Sequence, residues 1–244
     1  MLEITSPRGA HTWTRGLSRF DPGSHTWQRF RHNAGDPRSL IDDRVMTLFV
    51  DPRNRLWIGT WGGIDRLDSV DAGKSGALTT SKRFTHITAL PVQRGTIEDL
   101  RITASCADEK GNLWFGTFEG GILEYSSSSG QIGRLHDDQG RTPQLQSKRI
   151  RSLLLDPAGM LWIGTQDAGI ILFNPRSGDV SALERGDQSG LSSNAILALY
   201  RDRTAGVWVG TDGGGVNHYD PFRYKFTHVK HVPGDSRTLS SAQV

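Results

Sequence analysis

Short apolar segments recur along this chain, and turns rich in Asp, Pro and Gly separate them. The clearest example is Ile150–Leu155 followed by Leu161–Thr165, joined across the turn Asp156-Pro157-Ala158-Gly159. Apolar runs this short, rich in β-branched side chains and bounded by turn residues, indicate strands rather than helices. In the turn, Asp can accept backbone hydrogen bonds, Pro presets φ, and Gly allows a positive φ. The pattern therefore predicts an all-β protein of short, tightly connected strands.

One motif occurs four times, and each copy places a Gly-Thr pair shortly after a Trp. An Asp lies six residues before each Trp, and a β-branched residue lies six residues before each Asp. The tryptophans follow one another at intervals of 57, 48 and 46 residues. Repetition at such intervals is typical of propellers and solenoids. The copies are Leu56–Thr60, Leu113–Thr117, Leu161–Thr165 and Val207–Thr211, and their aspartates are Asp51, Asp108, Asp156 and Asp202.

Each repeat reads as four strands: an apolar first strand, a second carrying the Trp, a third after a Gly-rich turn, and a more polar fourth. In the last full repeat the third and fourth strands are Gly215–Tyr219 and Lys225–Val229. A four-stranded sheet cannot bury both faces alone, but sheets stacked around an axis bury one another's faces. We expect the Trp to anchor neighbouring sheets and the Gly after it to let the next sheet approach. The sequence thus predicts a β-propeller of four-stranded antiparallel blades.

Both ends of the chain read as incomplete blades. Residues 1–15 are predicted to be irregular, and the segment that follows supplies only a third and a fourth strand. Val244 falls in phase with the first strands, so a further blade would begin there. We therefore predict an open arc of four full blades whose exposed edges tend to pair with other chains. The predicted blades span residues 16–31 (partial), 45–95, 102–136, 150–185 and 196–230, and 239–244 begin the next.

Charge and composition exclude several classes of function. The net charge is only +3, and no cluster of Lys and Arg forms the basic surface that nucleic acids require. Cys106 is the only cysteine, so neither an intrachain disulfide nor a cysteine-based metal site is expected. No apolar run approaches the ~18 residues of a membrane span, and Met1–Arg8 lacks a hydrophobic signal segment. For the chain as written we expect no nucleic-acid partner, no membrane segment and a cytoplasmic location.

The sequence also lacks the usual signatures of catalysis and metal binding. His228 and His231 are three residues apart, so strand alternation separates them, and no third ligand lies nearby. The turn Asp212–Gly215 joins two strands and has no Lys-Ser/Thr, which argues against a phosphate loop. No Gly-x-Ser-x-Gly elbow is present. We predict no catalytic residue, no metal ligand and no cofactor.

The repeat, written D-x-x-G-x-L-W-I-G-T-x-x-G-G-[IVL], resembles the two-component regulator propeller repeat. The segment His32–Leu40 recurs as His231–Leu239 and is also similar to that family. The resemblance covers nearly the whole chain from about residue 16. The four motif copies are Asp51–Ile64, Asp108–Ile122, Asp156–Ile170 and Asp202–Val216.

The resemblance implies a sensory role. In that family such repeats form seven-bladed propellers, often two in tandem, in the periplasmic sensor region of bacterial hybrid histidine kinases. Members with a known role often sense nutrient-derived ligands such as oligosaccharides. It therefore implies a non-enzymatic, periplasmic ligand-binding module whose partners are an oligosaccharide or similar ligand and other blades or a receptor protomer. This chain differs in having too few blades for closure, no membrane segment and no output domain. A kinase or cyclase would lie outside it.

Strand order predicts where a ligand would meet the chain. Residues just after each Gly-Thr pair and those just before each first strand share one rim around the axis. The framework is nearly constant, whereas the chemistry of these positions changes from blade to blade, and aromatic rings with arginine and carboxylate groups suit a sugar or an acidic sugar. The alternative is that they are solvated loop residues with locally paired arginines. The candidates are Arg44, Trp61, Arg101, Phe118, Glu119, Arg149, Gln166, Asp167, Asn194 and Asp212.

Two other functions remain open at this stage. The chain could be a protein-interaction scaffold with no small-molecule ligand. It could also be a propeller lyase, since the fold alone does not exclude an enzyme. A carboxylate–histidine pair converging in the central channel would favour the lyase.

Overall fold

A computed structural model gives the structure of the chain. It describes residues 2–3, 15–21, 23–68, 84–87, 100–135, 149–188, 190–221 and 225–241. Every regular element within these ranges is a β-strand, as the apolar pattern predicts. This part of the chain contains no helix with the length and hydrophobicity needed to cross a membrane. The outer parts of several predicted blades, and Val244 at the predicted start of another, lie outside the described residues.

In the described parts of the chain the strands form four four-stranded antiparallel sheets and one three-stranded sheet, which is the predicted propeller architecture. The partial blade contains β1 (Leu2–Glu3), β2 (Leu17–Asp21) and β3 (Thr26–Phe30). Blade 1 contains β4 (Val45–Val50), β5 (Leu56–Thr60), β6 (Gly63–Leu67) and β7 (Thr85–Ile87). Blade 2 contains β8 (Ile102–Ala107), β9 (Leu113–Thr117), β10 (Ile122–Tyr125) and β11 (Ile132–Arg134).

Blades 3 and 4 repeat this order. Blade 3 contains β12 (Ile150–Leu155), β13 (Leu161–Thr165), β14 (Ile170–Phe173) and β15 (Val180–Leu183). Blade 4 contains β16 (Ile196–Arg201), β17 (Val207–Thr211), β18 (Gly215–Asp220) and β19 (Lys225–Val229). The first strands of consecutive blades contact one another, so β4, β8, β12 and β16 are the innermost strands.

In blades 1 to 3 the Gly of the Trp-x-Gly-Thr segment permits close packing against the next blade. A Cβ added to Gly116 would lie 2.4 Å from Cγ2 of Ile150, at the start of the next blade's first strand. The equivalent distance is 2.5 Å between Gly59 and Ile102. Real side chains do not approach this closely, so only glycine lets β8 and β12 lie against the preceding second strands. The prediction that this Gly admits the next sheet is confirmed.

Three of the four repeated tryptophans lie between blades, as predicted, whereas Trp208 in blade 4 is 37% exposed. Trp57, Trp114 and Trp162 are at most 4% exposed, although each belongs to a second strand. Trp57 contacts Tyr125 of blade 2 with ring centroids 4.7 Å apart, and Trp162 contacts Tyr219 of blade 4 at 5.0 Å. Each interior Trp therefore loses its water because the following blade covers it, which is the packing that holds a propeller together.

The Asp of each turn also holds the Trp, a role that sequence reasoning missed. In blade 1, Oδ2 of Asp51 accepts the indole N–H of Trp57 at 2.9 Å, while Oδ1 caps backbone N–H groups of the turn. Blade 2 is different, because Oδ2 of Asp108 accepts the side-chain N–H of Asn112, and the buried Nε1 of Trp114 has no hydrogen-bond partner among the described residues. The constant six-residue spacing between Asp and Trp is the sequence signal that could have revealed this hydrogen bond. The indole bond recurs at 3.0 Å between Trp162 and Asp156 and between Trp208 and Asp202.

The N-terminal segment corrects one expectation. Residues 1–15 were predicted to be irregular, but Leu2–Glu3 form a short strand that pairs antiparallel with β2, in register with Ser18 and Arg19. This strand takes the position that the second strand has in the full blades. The physical reason is that β2 otherwise has an unpaired edge, whose backbone groups favour any nearby extended segment. No Leu-Trp-Ile-Gly string marks the pairing, so the repeat motif could not reveal it.

Candidate functional site

The predicted rim is built by one backbone hydrogen bond that recurs in every full blade. In each case the residue after Gly-Thr donates its N–H to the carbonyl of the residue before the first strand. This places the two predicted sets of rim positions side by side at the ends of the innermost strands. The pairs are Trp61 with Arg44 at 3.1 Å, Phe118 with Arg101 at 2.9 Å, Gln166 with Arg149 at 2.9 Å, and Asp212 with Ala195 at 2.9 Å.

A buried threonine fixes the turn beneath each rim residue. The hydroxyl of Thr60 donates to the carbonyl of Gly63 at 2.9 Å, and Thr60 is fully buried. The same bond joins Thr117 to Gly121 at 2.9 Å, and it recurs in blades 3 and 4. Because the hydroxyl closes the turn internally, the side chain that follows it can vary without loss of the turn.

The rims of blades 1 to 3 carry a continuous row of alternating rings and guanidinium groups, which we call the rim ladder: Arg44, Trp61, Arg101, Phe118, Glu119 and Arg149. The rings of Trp61 and Phe118 lie 5.8 Å apart across the blade boundary. The guanidinium carbon of Arg101 lies 5.7 Å from the Trp61 centroid and 4.4 Å from the Phe118 centroid. Arg44 covers Trp61 at 5.1 Å and Arg149 covers Phe118 at 4.9 Å, all within cation–π range.

Carboxylates hold the arginines of the rim ladder in place. Glu119 bridges two blades, with its oxygens 2.7 Å from Arg101 and 3.1 Å from Arg149. Arg44 makes a two-point ion pair with Asp42, at 2.9 and 2.6 Å. Hydrogen bonding to Arg44 lowers the pKa of Asp42 below its ordinary value, so this carboxylate stays charged. Asp42 was not among the predicted rim residues, and the Asp-x-Arg spacing was the signal that could have identified it.

The remaining predicted residues lie on the rim but have different environments. Asp167 is exposed and Gln166 is half-buried, next to the blade 3 end of the ladder. Asn194 braces loops: its side-chain oxygen accepts the N–H of Arg185 at 2.6 Å, and its carbonyl accepts the N–H of Gly169. Asp212 is exposed on the rim of blade 4. The structure therefore brings Arg44, Trp61, Arg101, Phe118, Glu119 and Arg149 into one contiguous group. Gln166 adjoins this group through the backbone hydrogen bond that it donates to Arg149.

The residues set aside as chemically inactive have structural roles. His228 contacts the carbonyl of Gly190, and Nδ1 of His231 lies 2.5 Å from the carbonyl of Leu239. Burial raises the pKa of the Cys106 thiol, which packs beside the core between blades 2 and 3. Within the described ranges no group of three or more His, Cys, Asp or Glu side chains could hold a metal ion.

One buried carboxylate stands apart from the rim. Asp65, in the third strand of blade 1, is completely buried, and its Oδ2 accepts the N–H of Ile41 at 2.9 Å. Its Oδ1 lies 3.6 Å from Nε2 of His86, which also contacts the carbonyl of Ser39 at 2.7 Å. Burial raises the pKa of Asp65 to about 6. In blade 4 the same register position holds a neutral residue, Asn217.

Comparison with known families supports this architecture. Three segments, residues 39–62, 96–119 and 144–167, match the family model described as two component regulator propeller. Each segment ends at or just beyond a rim residue, so the matched unit runs from the approach to a first strand through the Trp and the Gly-Thr turn. No curated protein matches the sequence.

Solved structures share the fold at low sequence identity. The extracellular domain of BT3049 from B. thetaiotaomicron, assigned as a hybrid two component system, aligns with a TM-score of 0.72 at 22% identity, covering 95% of this chain and 28% of that one. PorZ, a surface component of the type-IX secretion system of Porphyromonas gingivalis, aligns with a TM-score of 0.66 at 18% identity, covering 91% and 30%. Virginiamycin B lyase from Staphylococcus aureus aligns with a TM-score of 0.61 at 14% identity, covering 90% and 64%. The chain thus spans less than two thirds of each.

Proposed function

We propose that this chain, three segments of which match the two component regulator propeller model, is part of the non-catalytic sensory propeller of a bacterial two-component or related receptor. The receptor domains of B. thetaiotaomicron that share its fold are extracellular, which supports a periplasmic location. The kinase or other output domain would belong to another part of the receptor.

The rim ladder is the observation that carries the ligand-binding part of this proposal. Its two aromatic rings offer faces on which a sugar ring can stack, and its arginines offer planar donors for carboxylate or hydroxyl groups. The alternation spans blades 1 to 3 and depends on contacts between blades, such as Arg101 against both Trp61 and Phe118. Loop residues that were merely solvated would not need to interlock across blade boundaries.

The charge of the rim ladder favours an acidic ligand over a neutral one. Arg44, Arg101 and Arg149 face two carboxylates, Asp42 and Glu119, so the positive groups outnumber the negative ones within this set. Arg44 and Arg149 have side chains 41% and 51% exposed, which leaves them within reach of a ligand. We therefore assign an oligosaccharide that carries carboxylate groups as the ligand class.

Such a ligand would signal by differential affinity. Because Glu119 joins the rims of blades 2 and 3 through Arg101 and Arg149, a bound carboxylate would compete for these arginines and alter the contact between blades. A ligand that binds one arrangement more tightly shifts the population toward it.

The test is isothermal titration calorimetry of the 244-residue chain with a galacturonic acid trisaccharide, with neutral maltotriose in parallel. We expect the acidic sugar to bind and the neutral sugar to bind at least tenfold more weakly. Arg101→Ala and Trp61→Ala should each weaken binding by about tenfold or more, since each removes a desolvated contact worth at least ~1.4 kcal/mol. Asp212→Ala, on the rim but outside the ladder, should have a smaller effect.

The matched control is Arg53→Ala, an exposed arginine in the turn on the opposite face of blade 1, which should leave binding unchanged. Loss of binding in this control, or ladder variants that bind as wild type does, would contradict the ligand site. Failure of a broader acidic and neutral oligosaccharide panel would favour the scaffold function instead.

The described residues provide no carboxylate–histidine pair in the central channel that would support the lyase alternative. The two carboxylate–histidine pairs among these residues are Asp65–His86 at 3.6 Å and Asp202–His218 at 3.1 Å. The first is buried between third and fourth strands, and the second lies at the turn side of blade 4, so neither points from the innermost strands into the channel. The similarity to virginiamycin B lyase is a similarity of fold.

A further inference from the structure

A short segment, residues 39–44, leads from the linker after the partial blade to the rim of blade 1, and we call it the strap. Its last residue, Arg44, opens the rim ladder: its guanidinium carbon lies 5.1 Å from the Trp61 centroid, and its carbonyl accepts the N–H of Trp61 at 3.1 Å. A Cβ added to Gly62 would lie 2.9 Å from Cβ of Asp42. The strap therefore packs directly on the turn that carries Trp61, so a shift of the strap reaches this end of the rim ladder.

Asp65 and His86 hold the backbone of the strap. Oδ2 of Asp65, on β6, accepts the N–H of Ile41 at 2.9 Å. Nε2 of His86, on β7, lies 2.7 Å from the carbonyl of Ser39. Because a carbonyl oxygen only accepts, this ring nitrogen carries a proton and donates it. A carboxyl group and an imidazole thus fix two strap residues that are two positions apart.

The two contacts come into conflict when Asp65 ionises. Its Oδ1 is buried and has no hydrogen-bond partner among the described residues. Nε2 of His86 lies 3.6 Å from this oxygen, which is beyond hydrogen-bond distance. A neutral carboxyl group tolerates that gap better than a buried carboxylate does. Ionised Asp65 therefore favours an arrangement in which His86 leaves the Ser39 carbonyl and donates to Oδ1.

Few other charged groups surround Asp65 within the described ranges. His32, in the linker after β3, acts on the charge of Asp65 and also contacts a strap carbonyl with its Nδ1 at 2.8 Å. The strand β5, which pairs with β6, has no ionisable side chain. The remaining charged residues belong to the strap and to β6, namely Asp42, Asp43, Arg44 and Arg66. The imidazoles that face Asp65 are therefore the same ones that hold the strap.

The other blades show that this position does not need a carboxylate. At the register position of Asp65, blades 2 and 3 have Leu123 and Ile171, and blade 4 has Asn217. The amide oxygen of Asn217 accepts the N–H of Ser192 at 3.1 Å, which is the blade 4 equivalent of the bond to the strap. An amide can thus hold this backbone, and the carboxylate of blade 1 adds the capacity to gain and lose a proton.

We propose that Asp65 and His86 form a proton-controlled clamp on the strap. The charge of Asp65 sets the position of Arg44 against Trp61, at the blade 1 end of the rim ladder. The arrangement described above, with His86 on the Ser39 carbonyl, belongs to protonated Asp65. Ionisation draws His86 toward Asp65 and shifts the population toward a second arrangement of the strap. Regulation of ligand binding by this clamp rests on the function proposed above, whereas the response of Trp61 does not.

The test is NMR spectroscopy of the ¹⁵N-labelled full chain between pH 4.5 and pH 8, following the indole N–H signal of Trp61, which Trp61→Phe identifies. Burial raises the pKa of Asp65 to about 6, so we expect the signal to shift with a midpoint near that pH. Asp65→Asn should reduce the shift at least about tenfold. The indole signal of Trp162, in blade 3, is the internal control and should not follow this transition.

Two further variants keep the test decisive. Asp65→Leu, which introduces the side chain of blade 2, should also lack the transition, and it serves if circular dichroism shows that Asp65→Asn does not fold. Asp68→Asn makes the same carboxylate-to-amide change at an exposed position of blade 1 and should keep the transition. A wild-type Trp61 signal with no transition near pH 6, or a transition that persists in the Asp65 variants, would overturn the proposal.

Calorimetry with the galacturonic acid trisaccharide separates the clamp from the ligand site. We expect wild type to bind at least about threefold more tightly at pH 5 than at pH 7.5, and Asp65→Asn to lose this difference. A Trp61 transition without any sugar binding would refute the ligand site and leave the clamp intact. Binding with the same pH dependence in wild type and variant would overturn the regulation of the site by the clamp.

Discussion

Replacing Asp65 by Asn should change how the stability of this protein depends on pH. Asp65 is fully buried, its pKa is raised from 3.8 to about 6 by loss of water, and the N–H of Ile41 and the nearby His86 and His32 offset that only in part. A carboxyl group with a raised folded-state pKa contributes its stability below the unfolded pKa, and this stability is lost as the pH rises through the folded pKa.

The magnitude follows from these values. A shift from 3.8 to about 6, at 1.36 kcal/mol per pKa unit, corresponds to about 3 kcal/mol of unfolding free energy in total, of which about 2.4 kcal/mol is lost between pH 4 and pH 7. Asparagine cannot ionise, so Asp65→Asn should remove this loss. The blade 4 equivalent, Asn217, shows that an amide fits the position: its oxygen accepts the N–H of Ser192 at 3.1 Å and its nitrogen donates to the Ser192 hydroxyl at 2.7 Å.

The assay is urea unfolding of wild type and variant at several pH values between 4 and 8, comparing the difference in unfolding free energy. In blade 1 the amide faces Ile41 instead of a serine, so it lacks the hydroxyl partner and adds a constant penalty of about 1–3 kcal/mol. This penalty does not depend on pH. The way in which the difference in unfolding free energy between variant and wild type changes with pH therefore reports only the ionisation of Asp65. The variant should gain about 2.4 kcal/mol relative to wild type between pH 4 and pH 7.

Asp68→Asn is the matched control, because Asp68 lies in the same blade but is exposed and pairs with Arg66 at 2.7 Å. Because an exposed ion pair contributes at most about 1 kcal/mol, Asp68→Asn should change the unfolding free energy by less than that amount. If the difference in unfolding free energy between Asp65→Asn and wild type did not change with pH, the reasoning would be refuted. A wild type that gained stability relative to the variant as the pH rises would also refute it, because burial would then not raise the pKa of Asp65.

Two further pairs of substitutions test the packing between blades and the hydrogen bond from Trp to the Asp of the turn. Gly116→Ala should lower the unfolding free energy by about 1–3 kcal/mol, because its methyl group would meet Ile150. Gly133→Ala, with no atom within 4 Å of the added carbon, should lower it by less than about 1 kcal/mol in the same urea assay. Equal effects of the two substitutions would contradict the role of Gly116 in the close approach of the blades. Trp162→Phe removes an indole hydrogen bond, whereas Trp114→Phe removes none. Trp162→Phe should therefore lower the unfolding free energy by about 1 kcal/mol more than Trp114→Phe does. A larger loss for Trp114→Phe would contradict the role of the Asp in holding the Trp.

The interval of the motif was sufficient to predict strands, blades and their stacking, because each depends on local chemistry repeated in phase. The rim was predictable for the same reason: once strand order is known, the residues after Gly-Thr and before the first strand must meet. What could not be predicted was which rim side chains interlock. Arg101 reaches both Trp61 and Phe118 because of the distance between blades, a distance that no single repeat encodes.

The N-terminal strand could not be predicted for a related reason. Leu2–Glu3 pair with β2 through backbone groups alone, and backbone pairing leaves no periodic signature in so short a segment. The burial of Asp65 and Asn217 could not be predicted from the sequence either. The sequence places them at matching positions, but only the packing of the linker Ile41 or Ser192 over each shows that both are buried.

The sequence by itself determined that this protein is a series of four-stranded blades with a Trp anchor, a tight Gly and a variable rim residue in each, because hydrophobic period and turn chemistry act within a few residues. Tertiary structure alone decided that Trp208 lies exposed while Trp57, Trp114 and Trp162 are buried. The motif is the same in all four, and the difference is whether a neighbouring sheet removes the indole from water.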